Sequence, residues 1–194
     1  MFALLEFVVD YIHFNAETYR RHDFVDNALG CKLAENRSQE YYTNDSLQNG
    51  LYKMGVNSFE SCFFSYNIAS KTLFCLWVKT ILLSIAFLFF AISGYNEIAI
   101  FIIQLAIPLL LLQQAIKQQL YVVRLKEVLA RYRTIFNNIK NVTEYNTAKL
   151  LREILEYEGI ISWGNLLLDE TTYNNLNAEL SAQWEEKKKE YSIV

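Results

Sequence analysis

The chain has 194 residues, 53% of them apolar, and a formal net charge of −3. Such slight acidity leaves no electrostatic footprint for nucleic acid. A single proline in the whole chain argues against a loop-rich or β architecture, and three cysteines (Cys31, Cys62, Cys75), odd in number and irregular in spacing, make no disulfide framework.

The first stretch, MFALLEFVVDYIHF from Met1 to Phe14, lacks the basic n-region and small-residue cleavage site of a signal peptide and is too short to span a bilayer. Glu6 and Asp10 share one helical face, so the pattern predicts a helix continuing through Arg20 and Arg21 to about Leu29, with Gly30 as its stop. Acidic rather than basic residues on the polar face favour packing on a bundle over lying in a membrane interface. Residues 31–50 are polar and turn-rich, a loop or short broken helix. From Leu51 to Ser70, Tyr52, Val56, Phe59, Phe63 and Tyr66 recur at helical spacing and line one face. This helix leads into an apolar run, with Phe63, Phe64, Tyr66 and Trp77 expected near a membrane interface.

Two apolar runs follow, Thr72–Ser93 and Ile98–Ile116, joined by Gly94-Tyr95-Asn96-Glu97. Each is close to the roughly 20 residues that cross a hydrocarbon core of about 30 Å, and so short a joint predicts a helical hairpin. Lys79 is the exception within the first run. A mid-bilayer lysine costs about 2.5 to 3.5 kcal/mol, whereas the Leu, Ile, Phe and Val residues of that run together contribute roughly −4 to −8 kcal/mol. Its stem can also snorkel to the near interface, so insertion wins. Lys71, Lys79, Lys117, Arg124 and Lys126 all lie at the open end of the hairpin, which predicts cytoplasmic termini in a cell inner membrane. Within the second run, Gln104 needs a polar partner in another helix or a wet lumen, and Pro108 can kink the helix. Lys79, Gln104 and Pro108 are therefore the candidates for membrane-helix association or pore lining.

The second run has no later breaker before 137–141, so one helix is expected to about Lys140. Val122, Leu125, Leu129, Tyr132, Phe136 and Ile139 form a seam to be buried in the chain's own bundle or against another subunit, with Arg124, Lys126, Arg131 and Arg133 off that seam as a solvated basic face or, alternatively, a contact for anionic lipid headgroups. Thr143 is placed to N-cap a helix from Glu144 to about Trp163, with Leu150, Leu151, Ile154, Leu155 and Ile161 on its apolar side. Gly164-Asn165 ends it. A last helix is expected from about Asn177, finishing in a solvated EEKKKE run at 185–190.

No chemistry is announced. His13 and His22 stand nine residues apart, and no nucleophile elbow, zinc signature or phosphate-binding glycine loop occurs. The acids Glu153, Glu156, Glu158, Asp169 and Glu170 read as ordinary helix-surface carboxylates. No catalytic, cofactor-binding or metal-ligating residue is expected. The chain thus divides into a cytoplasmic helical region at 1–71, a transmembrane hairpin at 72–116 and a cytoplasmic helical region at 117–194, all-α throughout.

This layout resembles the small two-transmembrane effectors of bacterial antiphage and nucleotide-signalling systems, the SLATT-like proteins among them: a helix before the hairpin, a tight apolar hairpin at 72–116, then a long amphipathic helix and helical tail. The resemblance implies a homo-oligomer that disrupts or permeabilises the bilayer after a signal, with a soluble sensor or inhibitor protein from the same system as partner. A non-enzymatic membrane tether that docks a soluble protein is the alternative.

Overall fold

The structure, a computed structural model, describes residues 2–34, 44–92, 98–139, 146–164, 166 and 169–193; the side chains of 2–6, 90–92 and 98–107 fall outside that description. Among the described residues there are five α-helices and no strand: α1 Phe2–Leu29, α2 Leu51–Ile92, α3 Ile98–Asn137, α4 Thr147–Gly164 and α5 Glu170–Glu190.

Helix α1 ends where expected. Gly30 adopts φ +72° and its N–H donates to the Asp26 carbonyl at 2.9 Å, the left-handed stop a glycine adopts without strain. The buried Asp26 carboxylate then accepts from the N–H groups of Leu33 and Ala34, all at 2.8 Å, and so satisfies the chain as it leaves the helix. A polar relay ties this end to α2: Asn57 donates to Asn27 at 2.8 Å, and Asn44 donates to Asn57 at 2.9 Å and Glu60 at 2.7 Å. At its middle, α1 is tied to α4 by a two-pronged pair, Arg20 Nη1 and Nη2 to Glu158 Oε1 and Oε2 at 3.1 and 2.6 Å. Burial lowers the Arg20 guanidinium, but the bonds and charge of Glu158 outweigh it and hold the group above its ordinary value.

Helices α2 and α3 run antiparallel, as Tyr132 to Ser58 (2.7 Å), Gln118 to Thr72 (2.8 Å) and Trp77 to Gln119 (3.3 Å) show. The predicted face of α2 is the core: Tyr52, Val56, Phe59 and Phe63 are buried. Phe59 lies at its centre, with ring centroids 5.4 Å from Tyr132, 5.2 Å from Phe136 and 5.2 Å from Trp184 of α5. Phe63 belongs to this core too, stacked on Trp184, and not to a membrane interface. The α3 seam closes within the chain: Val122, Leu125, Leu129, Tyr132 and Phe136 are buried and Ile139 is half-buried, so this strip is unavailable to a second subunit. Arg131, expected on a solvated face, instead reaches Glu153.

Helix α4 returns along α3 and packs close at two glycines. A Cβ on Gly55 would stand 2.5 Å from Leu150 Cδ1, and one on Gly164 2.5 Å from Tyr121 Cδ2. Gly55, which weakens α2 on propensity alone, is thereby the point at which α4 approaches α2. Gly164→Ala should push against a buried ring that has no free side to move to, and lower stability by about 1–3 kcal/mol in a denaturant melt.

Two helix starts differ from expectation. Asn146 caps α4, accepting from Lys149 N at 3.0 Å; Thr143 lies outside the described residues. On α4, Leu151 and Leu155 are 41% and 63% exposed, while Tyr157 and Ile160 hold core positions instead. Helix α5 begins at Glu170, well before Asn177, because Asp169 caps it by accepting from Thr172 N at 2.7 Å. The Thr172 bonds, aided by the charge of Lys79, hold the Asp169 carboxyl below the usual carboxylate range. A depressed carboxylate contributes stability above its unfolded value and loses it as pH falls through the folded one. Amide exchange in the first turn of α5 should therefore accelerate on acidification before the core opens.

Candidate functional site

Helix α2 is long and apolar enough to cross a membrane, and only 6% of its most apolar 18-residue window is buried. A core helix of similar hydrophobicity would have that window mostly buried. Here Ile81, Leu82, Ile85, Leu88 and Phe89 are each more than half exposed, and on α3 Leu109 and Leu110 are both 61% exposed. The inward strip of α2 is narrow and recurs at Thr80, Ser84 and Phe87, with Thr80 Oγ1 donating to the Leu76 carbonyl at 2.8 Å. Small hydroxyl residues at this spacing let membrane helices approach closely, a signal present in the sequence that hydropathy alone passes over.

Directly below that apolar section lies a belt of amphipathic residues from three helices. Trp77 donates to Gln119, and Gln118 donates to Thr72 Oγ1 and, at 3.0 Å, to the Ala69 carbonyl. The Lys117 ammonium stands 6.0 Å from the centroid of Trp163, at the end of α4. Lys79 is exposed, two residues beyond Trp77 on α2. Tryptophan and lysine are the residues that settle at a bilayer surface. The packed bundle therefore climbs α2 past Thr72 to about Lys79.

Below the belt, α3 and α4 enclose an open cleft of about 520 Å³ lined by Leu120, Leu155, Ile160 and Trp163, with Arg124, Arg152 and Glu156 around it and Gly159 in its wall. A second cleft of about 430 Å³ continues upward along α3 past Leu109, Leu112 and Ile116, sharing Leu120 and Trp163 with the first. Unlike Gly55 and Gly164, Gly159 faces open space, since a Cβ there would meet nothing within 4 Å.

Only the C-terminal half of α1 packs on the bundle as expected. Phe24 and Ala28 are buried, whereas Phe7, Val8, Val9, Tyr11, Ile12 and Phe14 are 50–71% exposed and point to all sides of the helix. The Asn27–Asn57 pairing sets an antiparallel register that carries residues 7–12 to about the level of 72–77 of α2, beside the belt.

Of the sequence candidates, Lys79 lies in the belt, Pro108 sits half-buried inside an unbroken α3, and the Gln104 side chain is outside the described residues. His13 and His22 join no metal-holding group among the described residues. Cys62 is buried, its Sγ 3.6 Å from the Leu125 carbonyl, and burial pushes its thiol up, away from the reactive thiolate. Sequence reasoning missed Glu153. Fully buried, it accepts from Arg131 at 2.6 Å and also bonds Arg152. Comparison with protein-family models, curated proteins and solved structures finds no match for this chain.

Proposed function

We propose that this chain is an integral membrane effector. Its α2–α3 hairpin crosses a cell inner membrane with both ends of the chain in the cytoplasm, associates with further copies through the hairpin, and permeabilises the bilayer. The role in antiphage defence is the one implied by the resemblance to SLATT-like proteins, with a soluble sensor or inhibitor as partner. The observation that carries the membrane reading is that only 6% of the apolar window of α2 is buried.

The height of the belt supports action on the bilayer itself. From Thr80 to Ile92 the free leg of α2 has about 13 residues, or about 20 Å, against a hydrocarbon core of about 30 Å. A leg that short thins the surrounding bilayer or gathers with other copies. Because the α3 seam is closed in the bundle, association falls to the hairpin.

Expression of the chain alone should depolarise the inner membrane and leak dye, and a cysteine at Tyr95, in the stretch outside the described residues, should be labelled only from the outer side. Gln104→Leu removes the one amide near the middle of the second run. Loss of an interhelical bond of about 0.6–1.7 kcal/mol predicts roughly 3- to 18-fold weaker helix association and correspondingly less leakage. A non-enzymatic tether is the second reading, favoured by the exposed apolar half of α1 as a docking helix. It predicts intact cells and a specific soluble protein retained on the membrane.

A further inference from the structure

We infer that the paired clefts along α3 are a binding site for one anionic glycerophospholipid of the cytoplasmic leaflet, with acyl chains along Leu109, Leu112 and Ile116 and the phosphate between Arg124 and Arg152. The inference deepens the membrane reading and rests on it.

Four observations converge on that ligand. The two clefts share Leu120 and Trp163 and so form one groove, continuous from the exposed apolar section to below the belt. Along α3 the groove runs from Leu109 to Arg124, 15 residues or about 22 Å, which is half the roughly 40–45 Å thickness of a whole bilayer and hence the length of one lipid. Its character changes along that length as a phospholipid's does, leucine and isoleucine above, then Lys117 over Trp163, then two guanidinium groups. Finally, Gly159 stands inside a helix, where glycine is unfavourable, with no neighbour that requires it. Its missing side chain is what opens the wall of the groove.

The charges leave room for a phosphate. Arg124 and Arg152 are 61% and 65% exposed, and the partner of Arg124, Glu127, is itself 47% exposed at 3.3 Å. Arg152 touches buried Glu153, but that carboxylate keeps Arg131 at 2.6 Å on its other oxygen. Glu156, the one acid in the lining, has Arg131 at 3.8 Å. A phosphate can therefore take both exposed guanidinium groups without leaving Glu153 unpaired.

The test uses the full chain in detergent, offered equal amounts of phosphatidylglycerol and phosphatidylcholine and read by native mass spectrometry. One phosphatidylglycerol should be retained over phosphatidylcholine by about tenfold or more, the effect expected of charge-assisted bonds to phosphate. Arg124→Gln with Arg152→Gln should abolish the preference. Gly159→Phe should fill the groove and expel either lipid without lowering the melting temperature, since phenylalanine is the better helix former. Equal retention of the two lipids by the unmodified chain, a preference that survives the double arginine change, or lipid retained by Gly159→Phe would each overturn the assignment. So would displacement by millimolar glycerol 3-phosphate, which would make the groove a site for a free anion. Carbonate extraction of membranes from the same cells reads the hairpin separately: a chain released by carbonate sinks the membrane reading, whatever lipid the groove prefers.

Discussion

Phe59→Ala should lower the stability of the helical bundle by about 3–5 kcal/mol. Phe59 is 0% exposed and meets two other helices at once: Tyr132 and Phe136 stack on it from α3, Trp184 meets it edge-on from α5, and Tyr191, the C-cap of α5, lies 5.8 Å away. Truncation leaves a cavity walled by four rings from two helices, which cannot collapse into it without moving α3 against α5. The expected readout is a guanidinium melt in detergent, with Trp184 fluorescence reporting the transition. Phe14→Ala, on the exposed part of α1, is the comparison and should shift the same melt by less than about 0.5 kcal/mol. Equal effects for the two would mean that α5 does not close over α2 and α3.

Arg131→Ala should cost about 2–3 kcal/mol, whereas Glu153→Leu should be tolerated to within about 1 kcal/mol, an asymmetry that follows from who can reach water. Glu153 is wholly buried, while Arg131 is 36% exposed and Arg152 65%. Burial lowers the Arg131 guanidinium, but its bond to Glu153 and that group's charge raise it further and hold it above its ordinary value. Removing Arg131 strands a buried carboxylate with one exposed partner, and solvent screening at Arg152 keeps that partner from making up the loss. Removing the carboxylate frees two arginines that can hydrate where they stand. Arg152→Ala, losing only the exposed contact, should cost under about 1 kcal/mol. Thermal melts of the three variants at one salt concentration check the order, and a Glu153→Leu penalty as large as that of Arg131→Ala would contradict it.

Much of this fold is legible in the residues because long periodic segments dominate it. The 4-3-4-3 rhythm from Tyr52 to Tyr66 and from Val122 to Ile139 marks the two strips that meet in the core, and Gly30 marks the end of α1 as written. The misplacements are local. At the start of α5, Thr171-Thr172-Tyr173-Asn174-Asn175 has poor helix propensity, and packing of Leu180 and Trp184 together with the Asp169 cap overrides it. On α4, Leu155 looks like a core residue but lines the open groove, and Glu153 looks like a surface acid but is buried, because helix phase depends on which neighbour arrives. The belt and the groove are less legible still. They join residues from Thr72 to Trp163 across three helices, and no spacing along one segment encodes that juxtaposition.

Helices α2 and α3 each pass from the aromatic core into the apolar section without a break, over 42 and 40 residues. At about 1.5 Å per residue each is a rod of roughly 60 Å, about twice the hydrocarbon thickness. Such a rod is a lever with its fulcrum at the tryptophan–lysine ring. A few degrees of splay forced between the two rods at the Phe59 end arrive at the far tip as a displacement of similar size and opposite sense, with Pro108 the point of α3 at which the rod gives most readily. Whatever grips the wet end of this molecule thereby also steers its greasy end.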